Sequence, residues 1–550
     1  MLICMIQDLH CFALAVAQAG AFIHCHSSLS DYRELYQQER DNLLQNKETQ
    51  GQDTYELAVY STWRLSYDKL DPSARLLLQI CSLLHHEGIS EEMFKKAALS
   101  EQHLGDSELQ DDVTRLLKQL GKQDSGWSSW TFQKVIMRLG SHSLIEYDHQ
   151  NRTYSIHPLV HHWSSTTMEG DRHDLQKLIL TIIALSISLT TTDEDHKYRR
   201  KLLKHATNSI ASLKPEDINP LVGERIAEIY YESGRWKDTE ALEVMVMEKR
   251  KRTLGNDHSE TLQSMQNLAN TYWSQGRWSD AEALGLMVLE KRKVVLGDDH
   301  PSTLDSMEKV ANTYLYQGYW KKAEALQVVA IDRMKRVQRD DHPSTLRVMG
   351  NLACTYRSQG RLEDAEALEL VVREKKRRLL GDEHPSTLIV MANLASTYRE
   401  QGRLEDAEAL EVLVLETMKR LQGDDHPYTL RAMSNLAVTY WKQGRWNDAE
   451  VLQVVTMEKT KQVLGNDHPR TLENMANLAN TYRDQGRLND GEVLGVEVTE
   501  KMKRVLRDGH PDTLKSMLSL AATYRGLGRL DDAEPLEAMV EEHTKRHDDF

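Results

Sequence analysis

Between residues 342 and 360, apolar side chains fall at Leu346, Met349, Leu352, Ala353 and Tyr356. At 100° per residue these positions lie within about 120° of one another, which predicts a helix with one buried stripe. Asp341 or His342 stands where that helix would be capped, and Pro343 sits in the first turn, where its missing N–H costs nothing. Gly360 supplies the left-handed residue that ends the helix. A second stripe, Leu362, Ala365, Leu368, Val372 and Leu379, predicts a second helix. Its first turn is acidic (Glu363, Asp364, Glu366) and its last turns are basic (Lys375 to Arg378), the order the helix dipole favours. Small Ala353 and Ala365 mark where the two helices approach closely.

The same polar and apolar pattern then returns. His258, His300, His342, His384, His426, His468 and His510 stand 42 residues apart, each within a pattern close to D-H-P-x-T-L-x-x-M-x-N-L-A-x-T-Y-x-x-Q-G-R-x-x-D-A-E-A-L. A weaker copy keeps phase at Tyr230, Gly234, Trp236, Ala241 and Leu242, so about eight units run from residue 213 to the end. One hairpin cannot bury its own apolar face, but a stack of hairpins can, so the pattern predicts a solenoid. One histidine per unit is too widely spaced for a shared metal ion with bonds of about 2.1 Å, and a capping role is expected. The basic helix ends, repeated at Lys249 to Arg252, read as dipole partners rather than a nuclear signal.

The run N-L-A-x-T-Y-x-x-Q-G-R-x-x-D-A-E-A-L resembles the tetratricopeptide repeat (TPR). Its 42-residue period and D-H-P-x-T-L opening resemble the form found in kinesin light chains, where ordinary TPR units have 34 residues. The resemblance covers residues 213–550 and implies a mainly α fold that ends in an α-solenoid.

Comparing the copies with each other isolates a second stripe on the first helix, at 347, 351, 354 and 358. It reads Arg347, Asn351, Cys354, Ser358 in one copy, Arg431, Asn435, Val438, Lys442 in another, and Glu473, Asn477, Asn480, Asp484 in a third. The apolar positions hardly change; this stripe changes nearly everywhere except at its asparagine. A side-chain amide can hydrogen-bond the backbone of an extended peptide whatever its sequence. The resemblance implies that the first helices line a concave face and that Asn267, Asn351, Asn393, Asn435 and Asn477 meet bound peptide. Arg347, Arg431 and Lys442 stand among the variable neighbours that would select it. The pattern departs from this at Lys309 and Ser519.

The first 212 residues carry no repeat. Trp63, Leu65, Leu70, Ala74, Leu77 and Leu78 are the expected core of two or three short helices from Tyr55. Leu144 to Asp148 alternates, Asp148 to Asn151 can turn, and Thr153 to Ile156 can return. Helices followed by such a hairpin read as a winged helix. This stretch resembles the end of an NB-ARC domain in fungal NLR-like (STAND) signalling proteins, with "ALAVAQAGAFI" (13–23) as the helical subdomain before it. "SIHPLVHHW" stands where that family has its M-H-D motif. The resemblance implies that His157 would meet the β-phosphate of ADP, although Pro158 replaces the aspartate. The expected organisation is a helical NB-ARC remnant at 1–50, a winged-helix-like domain at 51–165, a helical connector at 166–212 and the solenoid at 213–550.

No G-x-x-x-x-G-K-[ST] loop occurs to cradle phosphates, so the chain itself is expected to hold no cofactor, with ADP or ATP only if a nucleotide-binding domain lies upstream. The chain resembles the C-terminal portion of such a receptor, as a fragment or a truncated gene model. Nucleophile and zinc-protease motifs are also absent, and His85–His86 and His161–His162 read as pairs without partners for chemistry. No enzyme and no metal site are expected. A net charge of −15 argues against a nucleic-acid binder. The five cysteines (Cys4, Cys11, Cys25, Cys81, Cys354) form no C-x-x-C pair and indicate a reducing, cytoplasmic setting. "MLICMIQDLHCFALAVAQAGAFIHC" lacks a basic n-region and is broken by Gln7, Asp8, His10 and Gln18, so it reads as a buried helix rather than a signal or a membrane span. The expected function is recognition of a protein or peptide by the concave face, as the sensor half of an NLR-like receptor that oligomerises when its winged helix is released. The alternatives are a nucleotide-switched STAND ATPase, only if an upstream phosphate-binding loop exists, and a kinesin-light-chain-like cargo adaptor. That role would need a heptad coiled coil before the repeats, and residues 166–212 are too short and irregular for one.

Overall fold

Each first helix from the second hairpin onward starts from an imidazole. His258, His300, His342, His384, His426, His468 and His510 accept, through Nδ1, the backbone N–H two residues on, at 3.1 to 3.2 Å. This supplies one of the partners that the first turn of a helix lacks. Proline follows directly in six of the seven, and Ser259 in the other. The first helix ends with a left-handed glycine: at Gly360 (φ +77°) the Arg361 N–H returns to Tyr356 O at 2.9 Å and the Gly360 N–H to Arg357 O at 2.9 Å. The second helix then runs from Leu362 to Leu380.

The computed structural model describes residues 13–26, 28–45, 54–100, 104–166, 171–188, 193–211 and 213–548. Among them the fold is mainly α, and it parts into two compact units, Met1–Ile229 and Tyr230–Phe550. Eight helix hairpins follow one another from Pro220–Glu232 with Trp236–Leu254 to Pro511–Gly526 with Leu530–Asp548, forming a solenoid. Its core is a series of clusters that each join neighbouring hairpins. Leu304, Met307 and Val310 of the third pack with Leu346, Met349 and Leu352 of the fourth and with Val372 on its second helix. Leu379, expected on that apolar face, is exposed instead. Earlier on the same helix Glu369 is buried, at 1 % exposed.

The N-terminal unit is helical, with two short antiparallel hairpins. Trp63 is its most enclosed large side chain and lies 5.6 Å from Trp163, ring centroid to centroid. Leu70, Ala74, Leu77 and Leu78 are buried as expected, and Leu65 is half-buried. The anticipated hairpin forms between Glu146–Asp148 and Thr153–Ser155, its turn held by Asp148 Oδ1 accepting the Gln150 N–H at 2.8 Å. A smaller one, Lys122–Gln123 with Gly126–Trp127, was not anticipated. The segment 166–212 contributes helices Arg172–Leu185 and Asp193–Ile210. Gln176 donates to Ser209 O across this pair, and Asn208 donates to Leu83 O and Leu84 O. The stretch before Ala13 lies outside the described residues; from there a helix runs to His26. No helix among the described residues is long and apolar enough to cross a membrane.

Candidate functional site

The variable stripe of the first helices is reached by solvent along its length, half-buried or exposed at nearly every position. Its asparagines divide into two groups. Asn267 accepts from Gln263 Nε2 at 2.8 Å, and Asn351 donates to Glu308 Oε1 at 2.8 Å. The carboxamides of Asn393, Asn435 and Asn477 are half-buried and have no hydrogen-bond partner among the described residues.

The charged members of the stripe are likewise not equivalent. Arg347 is turned inward along the array, donating to Glu308 Oε1 at 2.7 Å and Asp305 Oδ1 at 3.2 Å. Glu308 is buried, and its carboxyl is pushed up to about 6 by desolvation, against the pull of Arg347. Arg431 lies with its guanidinium carbon 5.2 Å from the Tyr428 ring centroid; desolvation lowers its pKa, and the nearby charge of Arg470 adds to that. Lys442 is exposed.

Behind the stripe, buried carboxylates join successive hairpins. Glu369 Oε2 accepts from Thr397 Oγ1 at 2.8 Å, and Glu411 Oε2 from Thr439 Oγ1 at 2.6 Å. Arg399 donates to Glu411 Oε1 at 2.8 Å, and Arg357 lies 3.5 Å from Glu369. Desolvation pushes the Glu369 carboxyl up to about 7, and its threonine and arginine partners only partly offset that. At the equivalent positions Gln327 and Gln453 stand in the same buried place. These residues brace the scaffold beneath the stripe and were not among the expected site residues. The signal was present in the repeat comparison, since this position alternates among Glu, Gln and Gly while its threonine partner never changes.

The outer joint explains the Q-G-R and A-E-A-L signatures. Gln359 Nε2 and Arg361 Nη1 both donate to Glu324 of the preceding hairpin, each at 2.9 Å, while Arg361 Nε reaches Asp364 at 2.7 Å and its guanidinium carbon stacks 4.1 Å over Tyr356. The same grip recurs with Gln401 and Arg403 on Glu366, Gln443 and Arg445 on Glu408, and Gln485 and Arg487 on Glu450. In the third hairpin Tyr319 replaces the arginine, and Gln317 alone holds Glu282.

The array also winds far enough for its ends to meet. A Cβ at Gly234 would lie 2.7 Å from Pro469 Cδ, and one at Gly276 would lie 2.5 Å from His510 Cδ2. Lys237 Nζ donates to Arg504 O at 2.8 Å, and Arg507 Nη2 lies 3.8 Å from Glu240. His510 is pushed below its ordinary value by desolvation, with Asp512 and the Ser274 backbone pulling the other way. Tyr316, on the stripe of the third hairpin, feels the carboxylates of Glu473 and Asp512 from the seventh and eighth. The Glu473 carboxyl, although exposed, is pushed up by desolvation and by Asp512.

In the N-terminal unit His157 is exposed, and its Nδ1 accepts the Leu159 N–H at 3.3 Å at the start of helix Pro158–Thr166. The histidine pairs that looked partnerless are brought together: His86 lies 6.1 Å from His161, and His85 lies 6.3 Å from His205, centroid to centroid. Distance in sequence concealed this, because His161 and His205 lie 75 or more residues beyond the first pair. Of the described cysteines, Cys81 is buried with its thiol pushed up to about 12, and Cys354 is half-buried.

Eight consecutive segments, from 224–260 to 513–540, match the family model of the tetratricopeptide repeat. Residues 65–173 match a domain of unknown function (DUF7779). No curated protein matches the chain. Among solved structures, the chain is similar to a kinesin-light-chain-type protein of Podosopora anserina with nearly identical TPR-like repeats, at 27% identity over 36% of this chain and 94% of that one, with a TM-score of 0.33. It is also similar to a STAND protein with a tetratricopeptide repeat sensor from Pyrococcus horikoshii, at 15% identity over 98% and 75%, with a TM-score of 0.42. A third similarity is to a Rap protein complexed with competence and sporulation factor, at 11% identity over 64% and 98%, with a TM-score of 0.46.

Proposed function

Because this chain belongs to the tetratricopeptide-repeat family, we infer that it is a recognition scaffold whose first-helix stripe forms a concave face for an extended peptide or protein segment. The observation that carries this reading is the set of three carboxamides, Asn393, Asn435 and Asn477, on successive hairpins. Each has a donor and an acceptor that the protein itself leaves unused. An extended peptide presents an N–H and a C=O at every residue and can satisfy these carboxamides without regard to its sequence. Selection falls to their neighbours: Arg431 and Lys442 beside Asn435, and Glu473 and Asp484 beside Asn477. Asn267, Asn351 and Arg347 are engaged within the protein and serve the scaffold first. A peptide library displayed on phage and selected on the full chain tests this. Enriched sequences are expected to bind the wild type and to lose binding to the Asn393→Ala/Asn435→Ala/Asn477→Ala variant. Equal binding to both would reject the reading.

The larger context proposed is the sensor half of an NLR-like receptor in the cytoplasm. Residues 1–50 are read as a helical NB-ARC remnant, 51–165 as a winged-helix-like domain, 166–212 as a connector and 213–550 as the sensor. The hairpin at Glu146–Asp148 and Thr153–Ser155 supports the winged-helix reading, and the exposure of His157 is compatible with a phosphate contact supplied by an upstream nucleotide-binding domain. Peptide capture would then free the N-terminal unit to oligomerise.

A further inference from the structure

We propose that His85, His86 and Glu87, together with His161, form a binding site for one divalent transition cation of the zinc class in the N-terminal unit. The three consecutive residues lie on the bend after helix Pro72–Leu83, and each can place a ligand atom within 4.8 Å of the other two. Ligands around zinc with bonds of about 2.1 Å stand roughly 3.4 Å apart, so small side-chain rotations bring these three together. The rings of His86 and His161 lie 6.1 Å apart at 71°, and those of His85 and His86 lie 4.5 Å apart at 21°. All three imidazoles are half-buried, and Glu87 is exposed.

The hydrogen bonds leave the right nitrogens free. His161 Nε2 lies 2.8 Å from Leu84 O, a contact that only an N–H can make, so its lone pair is on Nδ1. His85 Nδ1 accepts the Glu87 N–H at 3.2 Å and lies 3.4 Å from Glu87 O, and its Nε2 has no hydrogen-bond partner among the described residues; His161 keeps its N–H on a carbonyl. Ligating histidines characteristically donate their other N–H to a carbonyl in this way. His86 has no hydrogen-bond partner for either ring nitrogen among the described residues.

The loop is also built to keep its shape. His205 accepts the His85 N–H at 3.2 Å and lies 3.1 Å from Gly88 O, so both its nitrogens are engaged, and it braces the loop rather than ligating. The Ile156 N–H donates to His86 O at 2.8 Å, and Ile89 pairs with Tyr154 on the wing strand. Imidazole nitrogens with one carboxylate suit zinc, cobalt, nickel or copper and do not suit calcium or magnesium. An ion here would tie the loop to helix Pro158–Thr166, whose N-cap is His157.

The test uses the full chain, free of any affinity tag and treated with chelator, titrated first with Co²⁺ and then with Zn²⁺. One equivalent of Co²⁺ with visible d–d absorption is expected, displaced by Zn²⁺ and not by Ca²⁺ or Mg²⁺. The His86→Ala and Glu87→Gln variants change solvent-reached side chains, and they should lose that equivalent while keeping the wild-type circular dichroism. His258→Asn, which keeps a capping group in the repeat array, should bind as the wild type does. Absence of a stoichiometric site in the wild type, or its retention in both loop variants, would overturn the proposal.

Discussion

The turns at Gly276 and Gly402 have nearly the same sequence, S-Q-G-R and E-Q-G-R, and nearly the same backbone, with φ of +71° and +79°. Their surroundings differ. Nothing lies within 4 Å of a Cβ built at Gly402, whereas one at Gly276 meets His510 and Pro511. The repeat therefore determines each turn, while what covers the turn depends on how many hairpins have been stacked before the array comes round. Information about the closure is held in the sum of the units and in no single copy.

The sharpest way to break the comparison is to add the same methyl group at both turns. Gly402→Ala meets only the left-handed backbone penalty and should cost about 1 kcal/mol. Gly276→Ala adds a clash with a packed ring and should cost about 3 kcal/mol, read as faster amide hydrogen exchange in both the second and the eighth hairpins. Equal costs at the two sites would mean that the ends do not meet in solution.

A smaller effect is expected from making the middle of the array resemble its flanks. The Glu369 carboxyl is raised from 4.5 to about 7 in the fold, so the folded state holds this proton more tightly than the unfolded chain does. Its contribution is fully present below pH 4.5 and is lost as the pH rises through about 7. Glu369→Gln, which copies Gln327 and Gln453, should remove that loss and gain about 2 kcal/mol at pH 8 with little change at pH 4.5. Thermal melts of both proteins across that range check it. The smallest effect belongs to Arg507, which holds φ +84° where five of the six other copies place glycine and one places Arg339. Arg507→Gly should stabilise by about 1 kcal/mol or less, partly offset by loss of the distant Glu240 contact. Differential scanning calorimetry is sensitive enough to resolve it.

The hairpins were legible because their ends are written locally. A histidine, a proline and a glycine at fixed offsets determine caps and turns within a few residues of themselves. The mixed fate of the asparagine stripe was not legible. Glu308, 43 residues before it, occupies Asn351, while nothing equivalent reaches Asn393. Glu369 was missed because its threonine partner is on the next hairpin. Leu379 was misplaced for the converse reason: near a helix end, periodicity continues after the neighbouring helix has stopped covering it. The N-terminal unit has no second copy to compare, so its histidine cluster, assembled from residues 85, 86, 161 and 205, left no local trace.

The Q-G-R grip is the same at almost every joint, so one 42-residue unit can be inserted or deleted without creating a new kind of interface. The closing contacts do not share that tolerance. Both pairs are 234 residues apart (His468 from Gly234, His510 from Gly276), which is not a whole number of units. Losing one unit between them would leave every joint intact, bring His510 opposite Gly234 in place of His468, and take it away from Gly276. The array thus behaves as a counter: its local chemistry accepts any number of hairpins, and the number of closing contacts rises with the count.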